Sequence, residues 1–137
     1  MRKRSKRKPV SIAKPLTTGQ HDSIVFAPRA HLSMLLGQSY EYDYAASIAG
    51  LLNLSVILAH LQNQAELKAR FITAQQVMFL LITESRPPDE PEGSILREAL
   101  NLADCYIGLQ NTVEMTRAIK YSERQIAMLK QSSNSET

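Results

Sequence analysis

The chain has 137 residues, enough to bury one core without disulfides. Its single cysteine, Cys105, excludes an intramolecular disulfide framework and points to a reducing compartment, the cytoplasm. The formal charge of +3 is segregated: residues 1–14 hold seven of the sixteen Lys and Arg and no acid, leaving nine bases against thirteen acids elsewhere. A +7 segment on a −4 body points to a solvated basic arm aimed at a polyanion or an acidic surface.

The arm opens with MRKRSKRKP, in which Arg2, Lys3, Arg4, Lys6, Arg7 and Lys8 precede Pro9. The following PVSIAKPLTTGQHD lacks the apolar stretch of an export signal, and Pro9, Pro15 and Thr-Thr-Gly interrupt any helical period. Residues 1–27 are therefore expected to be largely disordered. Pro28 suits the first turn of a helix over 28–36, with Leu32, Leu35 and Leu36 at helical spacing and Gly37 as a left-handed stop.

Ser39 is the expected cap of a second helix over 40–62, with Glu41 and Asp43 at its positive end. Ile48, Leu51, Leu52, Leu58 and Leu61 form a broad apolar face on it. The stretch Tyr44–Ala65 carries no charge and has the length of a membrane span. Its Ser47, Asn53, Ser55, His60, Gln62, Asn63 and Gln64 favour a buried central helix instead, because hydrocarbon would strip them of water.

A turn is expected near Asn63, followed by a third helix over 65–85 built on Leu67, Phe71, Ala74, Met78, Leu81 and Ile82. Three prolines and three acids make RPPDEPEG, residues 86–93, a surface loop. Ser94 then caps a fourth helix over 95–131 whose stripe runs from Leu96 through Ala103, Tyr106 and Val113 to Leu129. The reading is all-α: a bundle of three to four helices over 28–131, with a disordered tail over 132–137.

His21, His31 and His60 show no i, i+3 or i, i+4 pairing, and Cys105 has no second cysteine, so neither a metal nor a cofactor is expected. Cys105 is assigned a small apolar role inside an amphipathic helix. In YEYDY, Tyr40, Tyr42 and Tyr44 form a candidate protein-binding cluster, although rings at a helix start also serve to cover a core edge with their hydroxyls wet. No glycine-rich phosphate loop, paired catalytic carboxylates or nucleophile signature appears, which argues against an enzyme.

The order of features resembles a group of small uncharacterised proteins encoded by bacteriophages and prophages of proteobacteria. The matching residues are the opening MRKRSK with Lys8 and Pro9, the stretch PRAHLSMLLGQ, and EALNLADCYIGLQNTVEMTRAI. Those proteins tend to carry an aromatic residue where this chain has Arg7. The resemblance implies an all-α fold and a phage or prophage setting, and transfers no activity.

Two functions are expected from these features. In the first, the six arm cations contact DNA or RNA without sequence preference while the body dimerises or docks on a protein. In the alternative, the body inhibits or sequesters a host protein or small ligand and the arm only steers. A homodimer is expected if Leu51, Leu52, Leu54, Val56, Ile57 and Leu58 leave an apolar patch on the second helix that the bundle does not cover.

Overall fold

The computed structural model describes residues 14–135, with side chains to Ser132. The arm residues Arg2, Lys3, Arg4, Lys6, Arg7 and Lys8 lie outside this range. Five helices follow one another: α1 (Thr18–Leu36), α2 (Tyr42–Leu61), α3 (Ala65–Glu84), α4 (Glu90–Gly108) and α5 (Thr112–Ser135). The all-α class holds, and the expected three to four helices become five.

The extra helix comes from a break in the long fourth segment. At the α4 end, Leu109 and Gln110 turn back onto the Tyr106 and Ile107 carbonyls. The Asn111 side chain then accepts the Glu114 N–H at 2.9 Å and starts α5. Asn111 followed three residues later by Glu114 is a helix-start pattern that the continuous apolar stripe concealed.

Helix α1 starts ten residues earlier than expected, so residues 18–27 are helical and not part of a disordered arm. Thr17 is its N-cap: the Thr17 hydroxyl accepts the Gln20 N–H at 3.1 Å, and the Gln20 side chain accepts the Thr17 N–H at 2.9 Å. Pro28 therefore lies inside the helix, buried against the core, and not in its first turn. Burial of its ring offsets the backbone hydrogen bond that proline cannot donate.

Two further caps differ from expectation. Glu41 and not Ser39 occupies the N-cap of α2, without a side-chain cap bond. Asp89 and not Ser94 caps α4: its carboxylate accepts the Glu92 N–H at 2.9 Å and Glu92 returns to the Asp89 N–H at 3.0 Å. The 86–93 loop is shortened accordingly, because proline is well tolerated in the first turn of a helix and Pro91 falls there.

Three helices end by one device. Gln38, Asn63 and Ser85 each adopt positive φ (68°, 57° and 51°). The next N–H then reaches the carbonyl five residues back: Ser39 to Met34, Gln64 to Ala59, Arg86 to Leu81. Gly37, expected to take the left-handed position, has φ −78°.

Helix α2 is central and packs on α1, α3, α4 and α5. It is long and apolar enough to cross a membrane by length and composition, and in this fold its apolar side chains meet other helices. Leu51, Leu52, Ile57 and Leu58 are buried and Leu54 and Val56 half-buried, so the uncovered patch expected on this helix is absent. Leu35, Ile48, Phe71, Met78, Leu81, Leu96, Leu100 and Ile107 complete the core, with the Phe71 and Tyr106 rings stacked at 6.1 Å.

Helices α1 and α4 approach so closely at Gly93 that a Cβ there would lie 2.8 Å from a Leu36 methyl. The loop before α4 is clamped by Arg86, whose guanidinium donates to the two Glu92 oxygens at 2.6 and 2.9 Å and to Glu84 at 3.0 Å.

Candidate binding surfaces

The arm's point of attachment is well defined. Lys14 accepts the Thr112 N–H at 3.0 Å, Pro15 and Asn111 form an isolated antiparallel bridge, and Leu16 donates to the Gln110 carbonyl at 3.4 Å. Residue 14 thus sits at the start of α5, and the six arm cations are covalently tethered to that corner. No sequence pattern marks this pairing, because it joins residues about a hundred positions apart.

The three YEYDY tyrosines part company. Tyr40 and Tyr44 are half-buried against the core, and the Tyr44 ring lies 5.0 Å from that of His31. The His31 Nδ1 in turn meets the Ser47 hydroxyl, fixing the α1–α2 contact. Only Tyr42 projects, 64% exposed. Tyr42 and Tyr44, two residues apart on α2, are rotated by about 200° and Tyr40 precedes the helix, so the three do not form one flat face.

A groove between α1 and α4, about 500 Å³, went unnoticed in the sequence. Its floor is Val25, Leu32 and Leu100, and Phe26, 73% exposed, stands on its rim. A polar cluster closes one end. The Asp104 carboxylate pairs with His21 Nε2 at 2.7 Å and with Arg29 at 2.7 Å, while Arg29 also donates to Asn101 at 3.0 Å. Partial desolvation opposes charge on His21, but the Asp104 carbonyl and carboxylate and the neighbouring Asp22 outweigh it, so its pKa is raised. Leu36 and Arg97 also line a second recess of about 350 Å³ that runs past Gln38 and Pro88 to Asp89 and Glu90. The apolar floor suits a side chain or peptide segment more than a reaction centre.

A second polar cluster is closed and structural. The Tyr106 hydroxyl donates to Gln62, whose amide donates to Gln110 and, at 2.9 Å, to Glu114. Gln110 completes the ring by donating to the Tyr106 carbonyl at 2.8 Å. Burial first, then the Glu114 charge, raises the Tyr106 pKa. The cluster ties α2, α4 and α5 together at the corner where Lys14 is pinned. The space beside it is only about 50 Å³.

The remaining candidates are quickly placed. His60 is exposed, beside the Lys68 ammonium at 3.1 Å and the Tyr121 ring at 6.0 Å. Among the described residues no three His, Cys, Asp or Glu side chains converge on a metal position. Cys105 is exposed, and so does not fill the small apolar role expected of it. The polar face of α4 turns it outward while Leu100, Ala103 and Ile107 turn in.

No protein-family model matches the chain, and neither the curated proteins nor the solved structures contain a match to it.

Proposed function

We propose that this is a non-enzymatic binding protein that grips DNA or RNA through Arg2, Lys3, Arg4, Lys6, Arg7 and Lys8 and uses its helical body for self-association or protein contact. The observation that carries the reading is charge segregation: the six cations fall in one short run, and the body that bears them is acidic. Non-specific polyanion binding needs such a run and no ordered donors in a groove. The hydrogen bonds of Lys14 and Leu16 support it, because they fix the residues that follow the cationic run against the start of α5. The resemblance of MRKRSK and its companion stretches to phage and prophage proteins supports an intracellular phage setting.

Fluorescence anisotropy with short labelled DNA and RNA tests this reading. The six arm contacts alone contribute about −5 to the log–log salt slope on duplex DNA. Deleting residues 1–9 should abolish binding at low salt, and unchanged affinity refutes the arm's role.

A second reading, sequestration of a host protein, is favoured by the α1–α4 groove with Phe26 on its rim and by exposed Tyr42. In this case a partner is retained from nuclease-treated lysate by the chain lacking residues 1–9 and lost on Phe26→Ala or Tyr42→Ala. Loss of everything bound on nuclease treatment favours the nucleic-acid reading.

A further inference from the structure

Of the nine Lys and Arg that follow residue 14, three sit in ion pairs among the described residues. Arg29 pairs with Asp104, Arg70 with Glu98, and Arg86 with Glu84 and Glu92. Helix α5 gathers three of the cations outside ion pairs into one row. Arg117, Lys120 and Arg124 are all exposed, and none joins an ion pair among the described residues. At about 100° per residue they fall within an arc of about 60°, and they span about 10 Å along the helix axis. Glu123 lies about 60° beyond Lys120, off the stripe. Glu114, on the other side of it, is occupied by the Gln62 amide.

The position of the stripe is as informative as its charge. It begins five residues from Thr112, the residue whose N–H holds Lys14. The chain therefore carries its basic arm and a row of free cations from the same corner. Like charges gathered along one face of a helix cost the fold a little self-repulsion, and an anion relieves it. One strand of a nucleic-acid duplex advances about 3.4 Å per phosphate, so a 10 Å row meets about three phosphates.

We propose that Arg117, Lys120 and Arg124 form a second phosphodiester-binding stripe, continuous with the tether of the arm, that fixes where the nucleic-acid backbone runs across the body. The inference rests on the nucleic-acid reading above. The stripe orients the backbone along α5, and the arm cations add further contacts.

An anionic membrane is the other polyanionic surface a basic helix meets, and the layout of α5 argues against it. Of the exposed apolar side chains of α5, Ile119, Ile126 and Leu129, 46%, 51% and 70% exposed, lie on roughly the opposite side of the helix from the stripe, while Val113 and Met128 flank its two ends. Inserting that face into a bilayer would point the three cations away from the headgroups, whereas a surface helix gains from cations that reach them.

The test uses the full chain, the chain lacking residues 1–9, the triple variant R117Q/K120Q/R124Q, and a charge-matched control K68Q/R70Q/K130Q. Each is titrated into labelled duplex DNA and RNA between about 50 and 200 mM salt. Removing three phosphate contacts is expected to shallow the log–log slope on duplex DNA by about 2 to 3, with the control leaving it unchanged. Circular dichroism checks that helix content is retained, and glutamine keeps helix propensity at these exposed positions.

A triple variant with the slope of the full chain overturns the stripe while leaving the arm's role intact, provided that the truncated chain still loses binding. A truncated chain that binds like the full chain overturns the arm reading and not the stripe. Equal losses in the triple variant and the control overturn the stripe as a site, since net charge then suffices. Vesicles rich in phosphatidylserine form the last arm: a triple variant that loses vesicle binding and keeps DNA binding overturns the proposal in favour of a membrane surface.

Discussion

Glu92 is the most heavily engaged carboxylate of the described chain, and replacing it with glutamine tests how the α3–α4 loop is held. Its oxygens accept two guanidinium donors from Arg86 at 2.6 and 2.9 Å, and one of them also caps the Asp89 N–H at 3.0 Å. The Arg86 hydrogen bonds lower its pKa to about 2 against the ordinary 4.5, with burial opposing and the Asp89 N–H adding to the effect. A folded value of about 2 against 4.5 corresponds to about 3.4 kcal/mol before screening by solvent. The Arg86 side chain is one-third exposed, so solvent screens the pair and about 1–2 kcal/mol is the expected contribution. Because the folded pKa is depressed, this stability is fully present above about pH 5 and is lost as pH falls toward 2. Glu92→Gln keeps the shape and an acceptor for the cap but removes the charge. Urea unfolding followed by circular dichroism should show the variant less stable by about 1–2 kcal/mol at pH 7, and nearly equal to the parent near pH 2. A difference that persists unchanged at pH 2 refutes the reasoning, since it would then come from packing or capping and not from the ion pair.

Ser85→Gly removes a Cβ from a left-handed position and should raise stability by about 0.5–1 kcal/mol in the same urea assay; a loss would show that the Ser85 conformation is not strained. Asp104→Asn should bring the raised His21 pKa down toward its ordinary 6.5, read by NMR titration of the ring. By the sign of that shift, the His21 contribution to stability is present below about pH 6.5 and fades as pH rises through the folded value, and an unmoved titration in the variant would assign the shift elsewhere. Exposed Cys105 should react with a thiol reagent in the native chain at the rate of the urea-unfolded chain within about tenfold, and strong protection would contradict its outward orientation.

Apolar periodicity alone was enough to read the class of fold and the identity of the central helix. Leu35, Ile48, Leu52, Phe71, Met78, Leu81, Leu96 and Leu100 recur at helical spacing, and burial of those side chains is what the sequence encodes most redundantly. The arm's charge was equally plain, since it depends on composition and not on position in space. Helix ends were harder. Thr17–Gln20, Asp89–Glu92 and Asn111–Glu114 are short polar patterns whose capping role competes with breakers beside them, the Thr-Thr-Gly, the prolines of 86–93 and the unbroken stripe through Val113. The α1–α4 groove, the Lys14 tether and the isolation of the α5 cations belong to the tertiary structure alone. His21 and Asp104 meet across 83 positions, and Lys14 reaches Thr112 across 98, so no local period links them. Whether a cation is free or paired also depends on which carboxylate the packing of the helices brings within about 4 Å: Arg29 finds Asp104 75 positions away, and Arg117 finds none among the described residues.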